Sequence, residues 1–554
     1  MGRAQTIGRG AVTAAGTTLP GVTGPLPAEV DTVIVGAGAA GCVLAARLSQ
    51  HPSNSVLLLE AGTTTGLEPE ATMPGAAFGQ LFGPSAWPDM TSPQQALGGR
   101  RVALAQGKGL GGGSSINLMT WFHGHRADYD AWQRAGLAGW GYDDVAPVLR
   151  ALAEPGGPMT VSRPRDVSQL PISFVAAGVE HGLPLTDDFN GPAPDGVGLV
   201  RSTIDDGARH SVVPGYLLPA LARDNLTVRT GAQVRTVHFD GDRAVGVSVA
   251  GPGNRTVHVR ARRGVVLAAG ALRSPQLLML SGIGPAAHLR EHGITLVRDL
   301  PGVGQNLQDH PMITPMWPVR DGSFVFNALR PADERAYQLL RRGPLASLIQ
   351  AGALLRSDDE LAAPDLQLTL TLLGMNPELT VLGEPAVTCA ISLLTPESRG
   401  AVTLASADPR DAPLADPALL TAPGDRVRLR AGLRRTRDLF AAQPLATATG
   451  APISPKNWTY DALDRWIDAN TATAWNPCGT CAMGVGPGAV TDPATMRVHG
   501  VDGLYVADSS VLPTVTRGNI QAPVLMVAER AAHRIAAALC REPLAPRLTR
   551  PAAA

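Results

Sequence analysis

At 554 residues the chain exceeds what one ordinary domain needs, so two domains or one large composite unit are expected. Basic and acidic residues balance at 47 each, which argues against a nucleic-acid binder, and an apolar fraction of 44% supplies a sizeable core. Five scattered cysteines are too few for a disulfide framework and no run of eighteen apolar residues exists, so a soluble cytoplasmic protein without a membrane partner is expected.

Residues 1–27 read as a loose tail, small and polar, without the hydrophobic run of a secretory signal. "MGRAQT" matches the short myristoylation pattern, which six residues meet by chance. "DTVIVGAGAAGCVLAARL" (31–48) predicts a strand, a tight turn and an Ala-rich helix. Gly36, Gly38 and Gly41 make GxGxxG: the first permits the turn, the second lets backbone approach a pyrophosphate, and the third lets helix pack on strand. Ala39 and Ala40 open the helix, whose free N–H groups and positive dipole end would face phosphates. A second strand, "SVLLLEAG" (55–62), runs into Glu60 and Ala61. Glu60 lies 19 residues past Gly41, the spacing of a carboxylate that binds ribose hydroxyls. An acid there suits FAD or NAD rather than NADP.

A second Gly/Ser loop, "GKGLGGGSSINLMTWFHGHRADYDAW", occupies residues 107–132. Its backbone can lie against a flat or anionic ligand, and Ser114, Ser115 and Asn117 offer short polar contacts. A nicotinamide enzyme has no obvious need of it; a long, fixed flavin does. Residues 225–249 alternate apolar and polar about a "DGD" turn and predict a hairpin, and "APDLQLTLTLL" (363–373) alternates as one long strand. "AERAAHRIAAAL" (528–539) predicts an amphipathic closing helix that packs on a sheet.

The loop at 107–132 is joined in order by "DDFNG" (187–191), "GALRSPQLLMLSGIG" (270–284), "LPGVGQNLQDHP" (300–311) and "VHGVDGLYVADSSVLPT" (498–514). From about residue 28 to 540 the chain resembles the glucose–methanol–choline (GMC) oxidoreductases. That resemblance implies an α/β composite fold: a Rossmann-like FAD-binding domain from 28–155, 225–312 and 455–545, and a discontinuous antiparallel-sheet substrate domain from 156–224 and 313–454. It also implies that Val234 touches adenine, that Asn117 and its neighbours line the isoalloxazine, and that Asp508 sits near the ribityl chain. Gly107, Gly112, Thr120, Asn519 and Gln521 complete the implied cofactor set. Where family members attach flavin covalently, a histidine follows the Ser pair; Ile116 stands there, so FAD is expected to bind non-covalently.

By the same resemblance a small or medium organic substrate gives a hydride to flavin N5, while a base takes its hydroxyl proton. The family motif for that base, HPxGT, begins with histidine. Here "TAWNPCGTCAMG" (473–484) places Asn476 in the slot, and "TRGNIQAP" (516–523) places Asn519 at the second position. An amide cannot accept a proton at working pH, and loss of a general base costs about 10²- to 10⁴-fold in rate. Asn476 and Asn519 are therefore the candidate catalytic pair, with Trp475 a candidate wall of the substrate pocket. Continued oxidation would need an acidic substrate or a stand-in base such as His123. Repurposed flavin chemistry (lyase, isomerase or cyclase, or light-driven decarboxylase), carbon–carbon dehydrogenation, and non-catalytic FAD binding stay open beside it. The electron acceptor, oxygen or quinone-type, is likewise open. Cys478 and Cys481 form C-x-x-C inside the motif, readable as a dithiol relay or as small apolar positions.

Overall fold

The structure, a computed structural model, describes residues 22, 24–64, 69–251, 253, 255–320, 322–326, 329–376, 381–540 and 544. The myristoylation-like start lies outside the described residues, as does the expected loose tail up to residue 21. The end of that tail is packed: Val22 is buried, and its carbonyl accepts the Thr230 N–H at 3.0 Å.

Strand β1 (Glu29–Val35) passes through a glycine turn into α1 (Ala39–Leu48), and β2 (Val56–Leu59) follows. Next in the chain come β3 (Gly196–Leu199), β4 (Leu226–Arg229), β5 (Val234–Asp240), β6 (Arg243–Ala250) and the long β7 (Thr256–Leu267). Helix α2 (Gly270–Leu280) leads to β8 (Pro311–Ile313), β9 (Met316–Pro318), β10 (Ile349–Leu355), β11 (Leu366–Thr371) and β12 (Ala386–Leu393). Helix α3 (Pro423–Ala441), β13 (Ala472–Thr473), β14 (Leu504–Val506) and α4 (Gln521–Cys540) complete the elements used below.

One sheet has the order β4-β2-β1-β7-β6-β5, with β14 also paired to β7. Its centre is parallel: Val33 of β1 lies opposite Leu57 of β2 on one side and Val265 of β7 on the other. Such strands are covered on both faces, which is why β1 and β2 read as near-continuous apolar runs. Helices α1 and α4 cover one face. Glu529 of α4 accepts from Arg47 of α1 at 2.8 Å and from the Tyr216 hydroxyl at 2.8 Å, so the charges that interrupt this apolar helix fix its packing. No helix among the described residues is long and apolar enough to cross a membrane. The predicted hairpin is shorter than 225–249. Gly231, at φ 65°, turns the chain after β4, which pairs in parallel with β2, and only β5 and β6 form the hairpin.

The second sheet is antiparallel, in the order β13-β8-β12-β11-β10-β3, with β9 also paired to β12. In β11 the alternation noted in the sequence separates two faces. Leu366, Leu368 and Leu370 join Val387, Cys389 and Ile391 of β12 in a core closed by Leu429 and Leu433 of α3. Each leucine removed from water there contributes about 2 kcal/mol. Gln367, Thr369 and Thr371 point the other way, opposite Ser392, Ala390 and Thr388. That second face looks across at the parallel sheet.

Candidate active site

A cavity of about 300 Å³ is walled from both sheets. At the carboxyl ends of β1 and β2 it is lined by Gly36, Gly38, Ala39, Ala40, Glu60 and Ala61, the predicted dinucleotide set. Gly107, Gly112, Asn117 and Thr120 line it from the second glycine loop, and Val234, Asp508 and Gln521 from the same sheet's other elements. Trp475, Asn476 and Asn519 close one corner. Gly41, named with the cofactor residues, does not line the cavity. A Cβ there would collide with the Gly36 carbonyl oxygen, so its part is to let α1 lie directly on the turn after β1.

The glycine loops meet closely. At Gly112 (φ 50°) a Cβ would stand 2.7 Å from the Gly38 Cα. At Gly113 and Gly270, by contrast, a Cβ would meet no protein atom within 4 Å, so bare backbone faces open space. The buried Glu60 carboxylate accepts the Ala37 and Gly62 N–H groups, each at 2.8 Å, and burial still pushes its pKa above the usual carboxylate range. Asp508 accepts the N–H groups of Gly270 and Ser510, also at 2.8 Å, and is raised by burial in the same way. The Gln521 side-chain nitrogen is buried without a hydrogen-bond partner among the described residues. These donors and acceptors suit FAD. The first-turn N–H groups of α1 are without intrahelical partners and suit a pyrophosphate, Glu60 keeps lone pairs for ribose hydroxyls, and Gln521 has a donor to give.

At the reactive corner the chain is held in an unusual backbone state. Trp475 has φ 59°, a left-handed conformation that costs a non-glycine residue about 1–2 kcal/mol. Its indole N–H donates to the Ala103 carbonyl at 3.2 Å and its ring packs edge-on against Phe82. The next residue, Asn476, is fixed by its own N–H, which donates to Asp309 Oδ1 at 2.9 Å. The Asn476 Nδ2 donates to the Ala474 carbonyl at 2.8 Å, and its Oδ1 receives the Ile520 N–H at 3.4 Å. Asn519 Oδ1 accepts from the Thr120 hydroxyl at 2.8 Å and from Gln367 Nε2 at 3.3 Å, while its Nδ2 has no partner among the described residues.

No histidine is among the described residues that line the cavity. His123, the possible stand-in base, is displaced from that role: its Nε2 accepts the Trp121 indole N–H at 3.0 Å, and burial drops its pKa to about 4. His310 is also outside the lining, with Nε2 3.1 Å from the Thr516 carbonyl oxygen and a pKa lowered by burial to about 4. Cys478 and Cys481 are fully buried in the core, outside the cavity lining, with burial holding both thiols far above their usual range.

Asp309, behind Asn476, is pushed up to about 7 by burial, against the N–H bonds that it accepts from Asn476 and His310. The folded chain thus keeps a proton that the unfolded chain releases near pH 4, so this group's contribution to stability falls as pH rises from about 4 to about 7. Asp309→Asn keeps an oxygen for both N–H groups and removes the titration. Between pH 4 and pH 8 the stability of the variant relative to wild type should rise by up to about 4 kcal/mol in urea unfolding. Parallel stability curves for the two proteins would contradict this assignment.

Two groups of lining or supporting residues escaped the sequence reading. Gln367, Thr369, Thr371, Thr388 and Ser392 line the cavity from the antiparallel sheet, and Thr314 from the link between β8 and β9. For Gln367, Thr369 and Thr371 the signal was present: polar residues at every second position of a strand whose other face is leucine. Arg209 had no such signal. It is buried, donates to the Ala71 carbonyl at 2.7 Å, the Ser114 carbonyl at 3.2 Å and Asn117 Oδ1 at 2.8 Å, and burial lowers it to about 9. It therefore orients the Asn117 side chain at the cavity edge.

A parallel sheet with a dinucleotide turn, a second glycine loop across from it and an antiparallel sheet closing the cleft define a flavin-dependent oxidoreductase fold. The chain belongs to the GMC oxidoreductase family, which it matches over residues 30–312 and 396–528. It is 37% identical to the oxygen-dependent choline dehydrogenase of Brucella suis biovar 1 over 538 residues, 93% of this chain and 97% of that one. An uncharacterised GMC-type oxidoreductase of Mycobacterium bovis is 40% identical over 530 residues, 92% and 99% of the two chains. Among solved structures, pyridoxine 4-oxidase from Mesorbium loti superposes with a TM-score of 0.83 at 32% identity, covering 91% of this chain and 99% of that one. Formate oxidase of Aspergillus oryzae RIB40 gives 0.86 at 28% identity, covering 93% and 99%.

Proposed function

We propose that the chain oxidises a CH–OH carbon of a small or medium organic substrate with non-covalently held FAD, and that it does so without an imidazole base. FAD, when bound, supplies the two-electron acceptor. The observation that carries this reading is the corner at which Asn476 and Asn519 line the cavity while no described histidine does. Relatives named for oxidation of choline, pyridoxine and formate support the reaction class. Ile116, in the position of the family's attachment histidine, lines the cavity with a side chain that has no nucleophilic atom, which supports non-covalent binding.

Asn519 offers its Nδ2 to a substrate oxygen, and Asn476 offers a second N–H beside it. Both amides orient that oxygen; neither accepts its proton. With no side-chain base present, the hydroxyl proton goes to water, so alcohols whose hydroxyl is acidified by a neighbouring electron-withdrawing group, and whose carbinol carbon keeps a hydrogen, are favoured over simple ones. The division into a flavin part (28–155, 225–312, 455–545) and a substrate part (156–224, 313–454) is supported by the strands. Every strand of the parallel sheet falls in the first set, and only β8 and β13 at one edge of the other sheet cross the division.

Anaerobic mixing of the holoprotein with candidate alcohols and enols tests the reading through the visible flavin band. Bleaching in the dark is the expected result. Bleaching only under blue light would replace oxidation by photochemistry, and a flavin that no substrate bleaches would leave a binding protein.

A further inference from the structure

The geometry points to an uncharged alcohol bearing further hydroxyl groups as the molecule this site takes, and excludes quaternary ammonium ions and carboxylates; the inference rests on the oxidation reading above. Six side chains on the antiparallel-sheet side of the cavity carry it: Thr314, Gln367, Thr369, Thr371, Thr388 and Ser392. All are hydroxyls or amides, and five of them are less than a tenth exposed, Gln367 at 5% and Ser392 at 8% among them. Some are satisfied within the protein. Gln367 Nε2 donates to Thr369 Oγ1 at 3.2 Å, and the Thr388 hydroxyl donates to the Leu373 carbonyl at 2.7 Å. The hydroxyls of Thr314, Thr371 and Ser392 make no hydrogen bond to any described residue. These hydroxyls face the cavity, and each can both donate and accept, which matches another hydroxyl better than any ion.

Charge is confined to the opposite side. The charged residues among those lining the cavity are Glu60, Arg273 and Asp508, all from the parallel-sheet side. Glu60 and Asp508 are engaged by backbone N–H groups. Arg273 is held bidentate by Asp89 at 2.7 and 2.9 Å. A trimethylammonium group against the antiparallel sheet would be stripped of water with neither a carboxylate nor an aromatic face among that side's lining residues to meet it, and a carboxylate would find no free guanidinium among the lining residues. Phe78 and Trp475 offer ring surface, and Met312, Ile349 and Met375 offer aliphatic surface, which suit the carbon skeleton of a neutral molecule.

Two matched pairs test this with the anaerobic holoprotein: choline against its uncharged isostere 3,3-dimethylbutan-1-ol, and hexan-1-ol against hexane-1,2,6-triol. Binding is read as a shift of the flavin band, and oxidation as its bleaching. The isostere should exceed choline, and the triol should exceed hexan-1-ol, by about tenfold or more in affinity or in kcat/KM. Thr371→Val and Ser392→Ala should each bring the triol-to-hexanol ratio toward one. Choline matching its isostere, or hexanol matching the triol, overturns the inference. A shifted band that never bleaches, with these preferences intact, supports the recognition and sinks the oxidation reading. Absence of any shift or bleaching with the neutral pair sinks the recognition.

Discussion

Asn476→His should raise kcat/KM for simple primary alcohols by about 10²-fold or more, the lower range of what a positioned general base contributes. The backbone at this position is already fixed. The N–H of residue 476 is tied to Asp309, and Trp475 turns the chain so that the side chain lines the cavity. An imidazole placed there would have one ring nitrogen able to take a hydroxyl proton, which the amide lacks. The gain should be small for substrates that already lose a proton easily. The variant should also acquire an activity profile that falls below about pH 6.5 as the imidazole protonates. Steady-state kinetics across an alcohol panel and a pH series check both expectations. No gain with any alcohol would mean that proton removal is not what distinguishes this site.

Gly41→Ala should be the most damaging single-atom-scale change in the dinucleotide half. The added methyl would collide with the Gly36 carbonyl oxygen, with the Ala268 side chain 3.5 Å away on the far side, so α1 must lift off the β1 turn. Overpacking of this kind costs about 1–3 kcal/mol, and it also misaligns the first-turn N–H groups. The expected product is a protein of lowered melting temperature that purifies with little or no flavin. Gly113→Ala supplies the contrast, because its methyl touches no protein atom. Its apoprotein should melt with wild type while FAD affinity falls. A Gly41→Ala protein with full flavin content and unchanged melting would refute the packing role.

The two halves of the fold differ in how plainly the sequence announced them. The β1 turn was legible because glycine spacing, a β-branched run and a carboxylate 19 residues on are local features with one shared explanation. The strand at 363–373 was equally visible, but the meaning of its alternation was not. Which face met a core and which a cavity depended on pairing with β12, more distant in the chain than any periodicity reaches. The extent of the 225–249 hairpin was overstated because β4 pairs with β2, a partner some 170 residues earlier, rather than with its neighbour. His123 looked available only because it sits in a loop that otherwise lines the cavity; its indole partner and its burial appear once the chain is folded. Asp309 gave no hint of its raised pKa, since burial belongs to the surroundings and not to the motif.

The wall formed by β11 and β12 writes ligand preference into odd and even positions. Residues 366, 368 and 370 belong to stability, and 367, 369 and 371 to recognition. New specificities can therefore arise by exchanging residues at the second set while the first is left untouched, and most such exchanges should be tolerated by folding. Deleting or inserting one residue in the strand is a different matter: it would turn leucines into the pocket and threonines into the core at a stroke. Diversification of this pocket is thus open to substitution and closed to changes of strand length.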